Sequence, residues 1–127
     1  MRKGWLVCIL LSALAIVAAC GGEGSEGAKA TSVIEQEPTG EERDIVIKGS
    51  NFTFDQEEYH VATGEAVRII YQNEEGNHAI SVKRTNISLR HNEQTVVSFT
   101  EPGSYEIICS VYCGAGHANM TAKLIVE

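Results

Sequence analysis

CSVYCGAGHANM, the stretch from Cys109 to Met120, places two cysteines, a histidine and a methionine within twelve residues near the end of a 127-residue chain. Each of the four offers a soft or borderline lone pair of the kind that thiolate, imidazole and thioether ligands give a metal. Ile107 and Ile108 run directly into Cys109, so this cysteine stands where a β-strand gives way to a loop. Gly114 and Gly116 let that loop curl, because glycine tolerates positive φ and close backbone approach. The stretch therefore folds its donors back toward one point. A fifth donor, His78, follows the turn-like Glu75-Gly76-Asn77 and opens another apolar run. In a β-sandwich such strand ends can meet at one pole of the domain.

Outward from this loop the folded part reads as strands. Ile45–Ile47, Phe52–Phe54, Val67–Tyr71, His78–Val82, Thr95–Phe99, Tyr105–Ile108 and Thr121–Val126 are short runs rich in β-branched and aromatic residues. Turn signals such as Thr63-Gly64-Glu65 and Pro102-Gly103 separate them, and no long segment has helical periodicity. This pattern predicts an all-β domain of two packed sheets, a Greek-key sandwich or barrel. Tyr59, Tyr71 and the phenylalanines read as core, His60 and His91 as surface histidines among polar neighbours.

The chain starts MRKGWLVCILLSALAIVAAC. Arg2 and Lys3 precede a mostly apolar run from Trp5 to Ala19, short for a bilayer span and suited to a secretory signal. Val17-Ala18-Ala19-Cys20 resembles a bacterial lipobox, which implies that residues 1–19 are a lipoprotein signal and that Cys20 carries lipid. From Cys20 to Arg43 the chain is rich in Gly and Glu and poor in apolar surface, so a flexible acidic tether is expected over 20–43. The folded domain is then expected over 44–127.

Ten basic residues against seventeen acidic ones give a net charge of −7. Loss of Arg2 and Lys3 with the signal leaves eight against seventeen, or −9. That balance argues against nucleic acid or anionic lipid as a partner held by a basic patch. With Cys8 in the signal and Cys20 lipidated, only Cys109 and Cys113 remain in the domain.

Thiolate, imidazole and thioether together select copper over magnesium or calcium, and an axial thioether beside Cys and His is an electron-transfer pattern. Two other readings use the same residues. A Cys109–Cys113 disulfide leaves His78, His117 and Met120 without a reason, and a Cys2His2 zinc site leaves out the methionine.

Cys109-x-x-x-Cys113-Gly-x-Gly-His117-x-x-Met120 with an upstream His78 resembles the CuA domain of cytochrome c oxidase subunit II. The Thr85–Leu89 and Pro102–Cys109 stretches are similar to the prokaryotic form of that subunit. The resemblance implies a cupredoxin fold holding two copper ions with both thiolates bridging. By position, His78 and Met120 would complete one copper, and His117 with the Val111 backbone carbonyl the other. Val111 stands where many family members carry Glu, and the sole tryptophan, Trp5, lies in the signal. Tyr112 is then the candidate aromatic entry point for electrons. The implied function is a lipid-anchored, extracytoplasmic one-electron carrier with no catalytic site of its own. A redox protein such as cytochrome c would be its donor, and an oxidase or reductase its acceptor. A mononuclear blue-copper carrier using Cys113, His117, Met120 and His78, or a protein delivering copper to an oxidase, are the alternatives.

Overall fold

The computed structural model of the chain describes residues 32–127. The expected signal and the candidate lipidation site at Cys20 lie outside the described residues. Among the described residues ten strands follow one another: β1 (Val33–Glu35), β2 (Arg43–Ser50), β3 (Thr53–Phe54), β4 (Glu58–Val61), β5 (Ala66–Asn73), β6 (Ile80–Val82), β7 (Ser88–Leu89), β8 (Gln94–Phe99), β9 (Gly103–Cys109) and β10 (Thr121–Val126). One short 3-10 turn, His117–Asn119, precedes β10.

The long strands alternate between core and solvent with the period of two that a pleated strand imposes. Ile45 and Ile47 of β2, Val67, Ile69 and Tyr71 of β5, and Ala122, Leu124 and Val126 of β10 all point inward. β9 buries Tyr105, Ile107 and Cys109 in the same phase. The alternation that builds the core thus delivers the first cysteine to the interior at the end of its strand.

The strands form two five-stranded sheets, ordered β1-β8-β5-β2-β3 and β4-β10-β9-β6-β7. Most neighbours are antiparallel, whereas β2 runs parallel to β5 and β4 parallel to β10. β4 lies in the opposite sheet from β3 and β5, so the chain crosses between sheets twice in succession. This is the all-β Greek-key sandwich expected. Its centre is aliphatic and aromatic, with Ile47, Ile69, Ile80, Phe99, Ile107 and Leu124 fully buried. Each such side chain stabilises the fold by roughly 1.5–3 kcal/mol relative to exposure. Edge strands β3 and β7 have two residues each, too short to template pairing with another chain.

The structure corrects the boundary of the tether expected over 20–43. Val33–Glu35 is a strand paired antiparallel with Val97–Phe99, and Val33 is buried. Gln36 N–H continues the pairing by donating to the Val96 carbonyl at 2.9 Å. The ordered domain therefore begins before Asp44. Strands β4 and β7 are additions to the expected set, and His78 and Ala79 precede β6 rather than opening it. Among the described residues no helix is long and apolar enough to cross a membrane.

Candidate metal centre

The loop between β9 and β10 is closed at its base by the sheet itself. Ile108 pairs with Thr121, and the Cys109 N–H donates to the Met120 carbonyl at 3.2 Å. The first and last donors of the loop are therefore neighbours across a hairpin. At the far end, the His117 N–H donates to the Gly114 carbonyl at 3.1 Å and the Met120 N–H to the His117 carbonyl at 3.3 Å. These bonds turn the chain sharply and bring His117 back toward Cys113. On the other side, Ile80 pairs with Cys109, and the Ser110 N–H donates to the Ala79 carbonyl at 2.8 Å. That contact carries His78 to the same place.

The donor atoms converge accordingly. Cys109 Sγ lies 3.6 Å from Cys113 Sγ, 3.7 Å from His78 Nδ1 and 3.2 Å from the Val111 carbonyl oxygen. Cys113 Sγ lies 3.6 Å from His117 Nδ1. His78, Cys109 and Cys113 form the one group of His, Cys and acidic side chains close enough to hold a metal among the described residues. Thiolate and imidazole donors sit about 2.0–2.3 Å from a bound metal, so donors at these separations can share an ion. Both cysteines are free, and their sulfurs are far beyond a disulfide's bond length of about 2.05 Å. The disulfide alternative does not describe this site.

The environment is dry on one side and open on the other. His78, Cys109 and Met120 are buried, whereas Cys113 and His117 are partly exposed. Burial pushes the Cys113 thiol up from its ordinary pKa, and the neighbouring Cys109 thiol adds to the shift. Tyr71 is held protonated above its ordinary range, first by burial and then by the two nearby thiols. Its hydroxyl donates to Asn73 Oδ1 at 3.2 Å, and the Asn73 side-chain amide donates to the Gly76 carbonyl at 2.6 Å. That chain of bonds fixes the turn leading into His78.

Of the expected metal-site residues, His78, Cys109, Val111, Cys113 and His117 meet through these contacts, Met120 joins them through its backbone carbonyl on Cys109, and Cys20, the lipidation candidate, lies outside the described residues. His60 and His91 stay exposed, as expected, and neither joins the metal-binding group, although His91 lines a cavity with His78 and Val111 and accepts the Asn73 N–H at 3.0 Å. Sequence reasoning missed Phe52, whose ring meets the His78 ring edge-on at 5.8 Å. Expected in the core, it is instead 37% exposed and packs on the loop. The available signal is Asn51-Phe52, an unusual pair for a tight hairpin turn.

No protein-family model matches the chain. Over 54 residues it is 41% identical to "cytochrome c oxidase subunit 2" of Thermus thermophilus, an alignment covering 39% of this chain and 40% of that protein. A second subunit 2 sequence from the same species also matches at 41%, with 32% of its length covered. The chain thus spans well under half of the curated relatives it matches. Among solved structures, the periplasmic domain of cytochrome oxidase subunit II from Bradyrhizobium japonicum superposes with a TM-score of 0.63 at 14% identity, covering 74% of this chain and 88% of that one. The domain has the cupredoxin fold. A haem-copper terminal oxidase dimer gives a TM-score of 0.59 at 24% identity, with 73% and 72% of the two chains covered. Auracyanin from Roseiflexus castenholzii gives 0.54 at 20% identity, with 66% and 96% covered. Over the matched stretch the chain is similar in sequence to cytochrome c oxidase subunit 2, as the motif implied.

Proposed function

We propose that this chain is a one-electron carrier on the extracytoplasmic face of a bacterial membrane, in which Cys109 and Cys113 would hold two copper ions between them. His78 and Met120 would complete the ligands of one ion, His117 and the Val111 carbonyl those of the other. When bound, the copper pair would accept one electron from a donor protein and pass it to an acceptor. The protein's part is to hold the donors in place before the metal arrives. The observation that carries this reading is the pairing of donors: two free sulfurs lie 3.6 Å apart, with His78 beside Cys109 and His117 beside Cys113. A mononuclear site needs one thiolate and leaves Cys109 without a role.

Tyr112 is 81% exposed, and its ring lies 5.7 Å from that of His117. It offers the contact through which a donor such as cytochrome c, or an oxidase or reductase acceptor, reaches the site. Lipid on Cys20 keeps the domain at the membrane, and fatty-acid labelling that survives loss of Cys20 would overturn that assignment.

Copper titration of the full chain tests the central reading. Two ions per chain are expected, falling to one in Cys109→Ser, because a serine hydroxyl is a harder and far less acidic donor. One ion per wild-type chain, unchanged by the substitution, would instead mark a blue-copper carrier. Rapid loss of bound copper to a copper-free oxidase would mark a delivery protein.

A further inference from the structure

We propose that Phe52 is a positioning residue, a wedge that sets both the His78 ring and the Cys113–His117 segment in the geometry the metal needs. The inference rests on the metal-site reading above.

The backbone at Phe52 is the first observation. Ser50 pairs with Thr53, so Asn51 and Phe52 are the two central residues of the β2–β3 hairpin. Both have positive φ, 45° and 63°. Two positive φ values in a two-residue hairpin are the signature of a type I′ turn, which strongly favours Asn-Gly. Asn51 obeys that preference. Phe52 does not, and a bulky residue in this region carries backbone strain. The hairpin alone would be better served by glycine.

The side chain supplies the reason for keeping it. The Phe52 ring stands edge-on to the His78 ring at 5.8 Å and 83°. On its other side it fills the space above two glycines of the ligand loop. A Cβ on Gly114 would come within 3.1 Å of Phe52 Cε1 and Cζ, and one on Gly116 within 2.6 Å of Phe52 Cβ. Gly114 has φ 130°, which already restricts it to glycine, but Gly116 has an ordinary φ of −86°. Gly116 is therefore glycine because Phe52 lies against it. One ring thus touches the imidazole beside Cys109 and the segment that carries Cys113 to His117, one donor group from each half of the site.

The Phe52→Gly variant of the full chain separates this role from simple packing, since it also gives the turn its preferred residue. The metal-free variant is expected to melt at or above the wild-type temperature. Its His78 imidazole proton resonances should shift and broaden as the ring edge is lost. Copper affinity, measured by competition with a chelator, should fall by about 10- to 100-fold, the range seen when groups that orient metal ligands are removed. Gly116→Ala should disturb the site strongly beside Phe52 and mildly beside Gly at position 52, a coupling that no separate packing effect produces. Unchanged His78 resonances and copper affinity in Phe52→Gly would overturn the wedge while leaving the metal site intact. A wild-type chain that takes up no copper would overturn the function itself.

Discussion

At the scale of single residues, Met120 carries two properties at once, a completely buried side chain and a thioether sulfur that can ligate copper. Cys109, Cys113, His117 and Met120 are legible because they lie within one loop, and chemistry alone marks them as a set. Their supporting residues come from other strands. Gly49 of β2 leaves room for the Tyr71 hydroxyl and for Met120 Cε, where an added Cβ would sit 3.1 Å from that methyl. Nothing in the spacing of residues 49, 71 and 120 announces this meeting, since it depends on how two sheets are stacked. Met120 itself is completely buried, so its burial is compatible with core filling as well as ligation. Met120→Leu distinguishes the two. A volume-conserving swap in a core costs less than about 1.5 kcal/mol, so the metal-free protein should melt close to wild type. The loaded protein should hold copper less firmly and show an altered visible spectrum. If retention and spectrum stay the same, Met120 is packing and not a ligand.

At the scale of elements, β2, β5, β9 and β10 are readable by their inward alternation, and β8 by its continuous run from Thr95 to Phe99, buried at its last four residues. β1 is hidden because Val33-Ile34-Glu35 sits in a Gly- and Glu-rich segment with little apolar density. It owes its order to backbone pairing with the edge of β8, which no local pattern encodes. β4 is hidden because Glu58-Tyr59-His60-Val61 looks polar, although its alternate residues Tyr59 and Val61 are buried. Between these elements, Arg43 at the start of β2 grips Glu65 in the turn before β5 with two bonds of 2.8 and 2.9 Å. The Ala62 N–H donates to the same carboxylate at 3.0 Å. The Arg43 bond, aided by the Ala62 N–H, lowers the Glu65 pKa from 4.5 to about 2. A folded-state pKa below the unfolded value means this contribution is full above about pH 4.5 and is lost as the pH falls toward about 2. Both side chains are partly exposed, so screening limits it to about 0.5–1 kcal/mol. Urea denaturation of Glu65→Gln should therefore show a deficit of that size at neutral pH, shrinking toward zero near pH 2. A deficit that does not change with pH would contradict the assignment.

At the scale of the whole molecule, the two sheets serve mainly to bring three chain segments to one pole: the Asn51-Phe52 turn, the approach to His78, and the Cys109–Met120 loop. The sandwich is predictable from short strands and turns, and so is the meeting of strand ends at a pole. The division of ligands into His78 with Met120 and His117 with the Val111 carbonyl is implied only by resemblance, since sequence spacing does not assign donors to ions. The structure adds which histidine lies beside which sulfur, with 3.7 Å from His78 to Cys109, 3.6 Å from His117 to Cys113 and 3.6 Å between the sulfurs. In the proposed centre one electron is shared by two equivalent coppers, and the electron paramagnetic resonance spectrum of the copper-loaded, partly oxidised full chain reads this out. Hyperfine structure from an electron divided equally between two copper nuclei is expected. A spectrum with coupling to a single copper nucleus, at full copper loading, would contradict it.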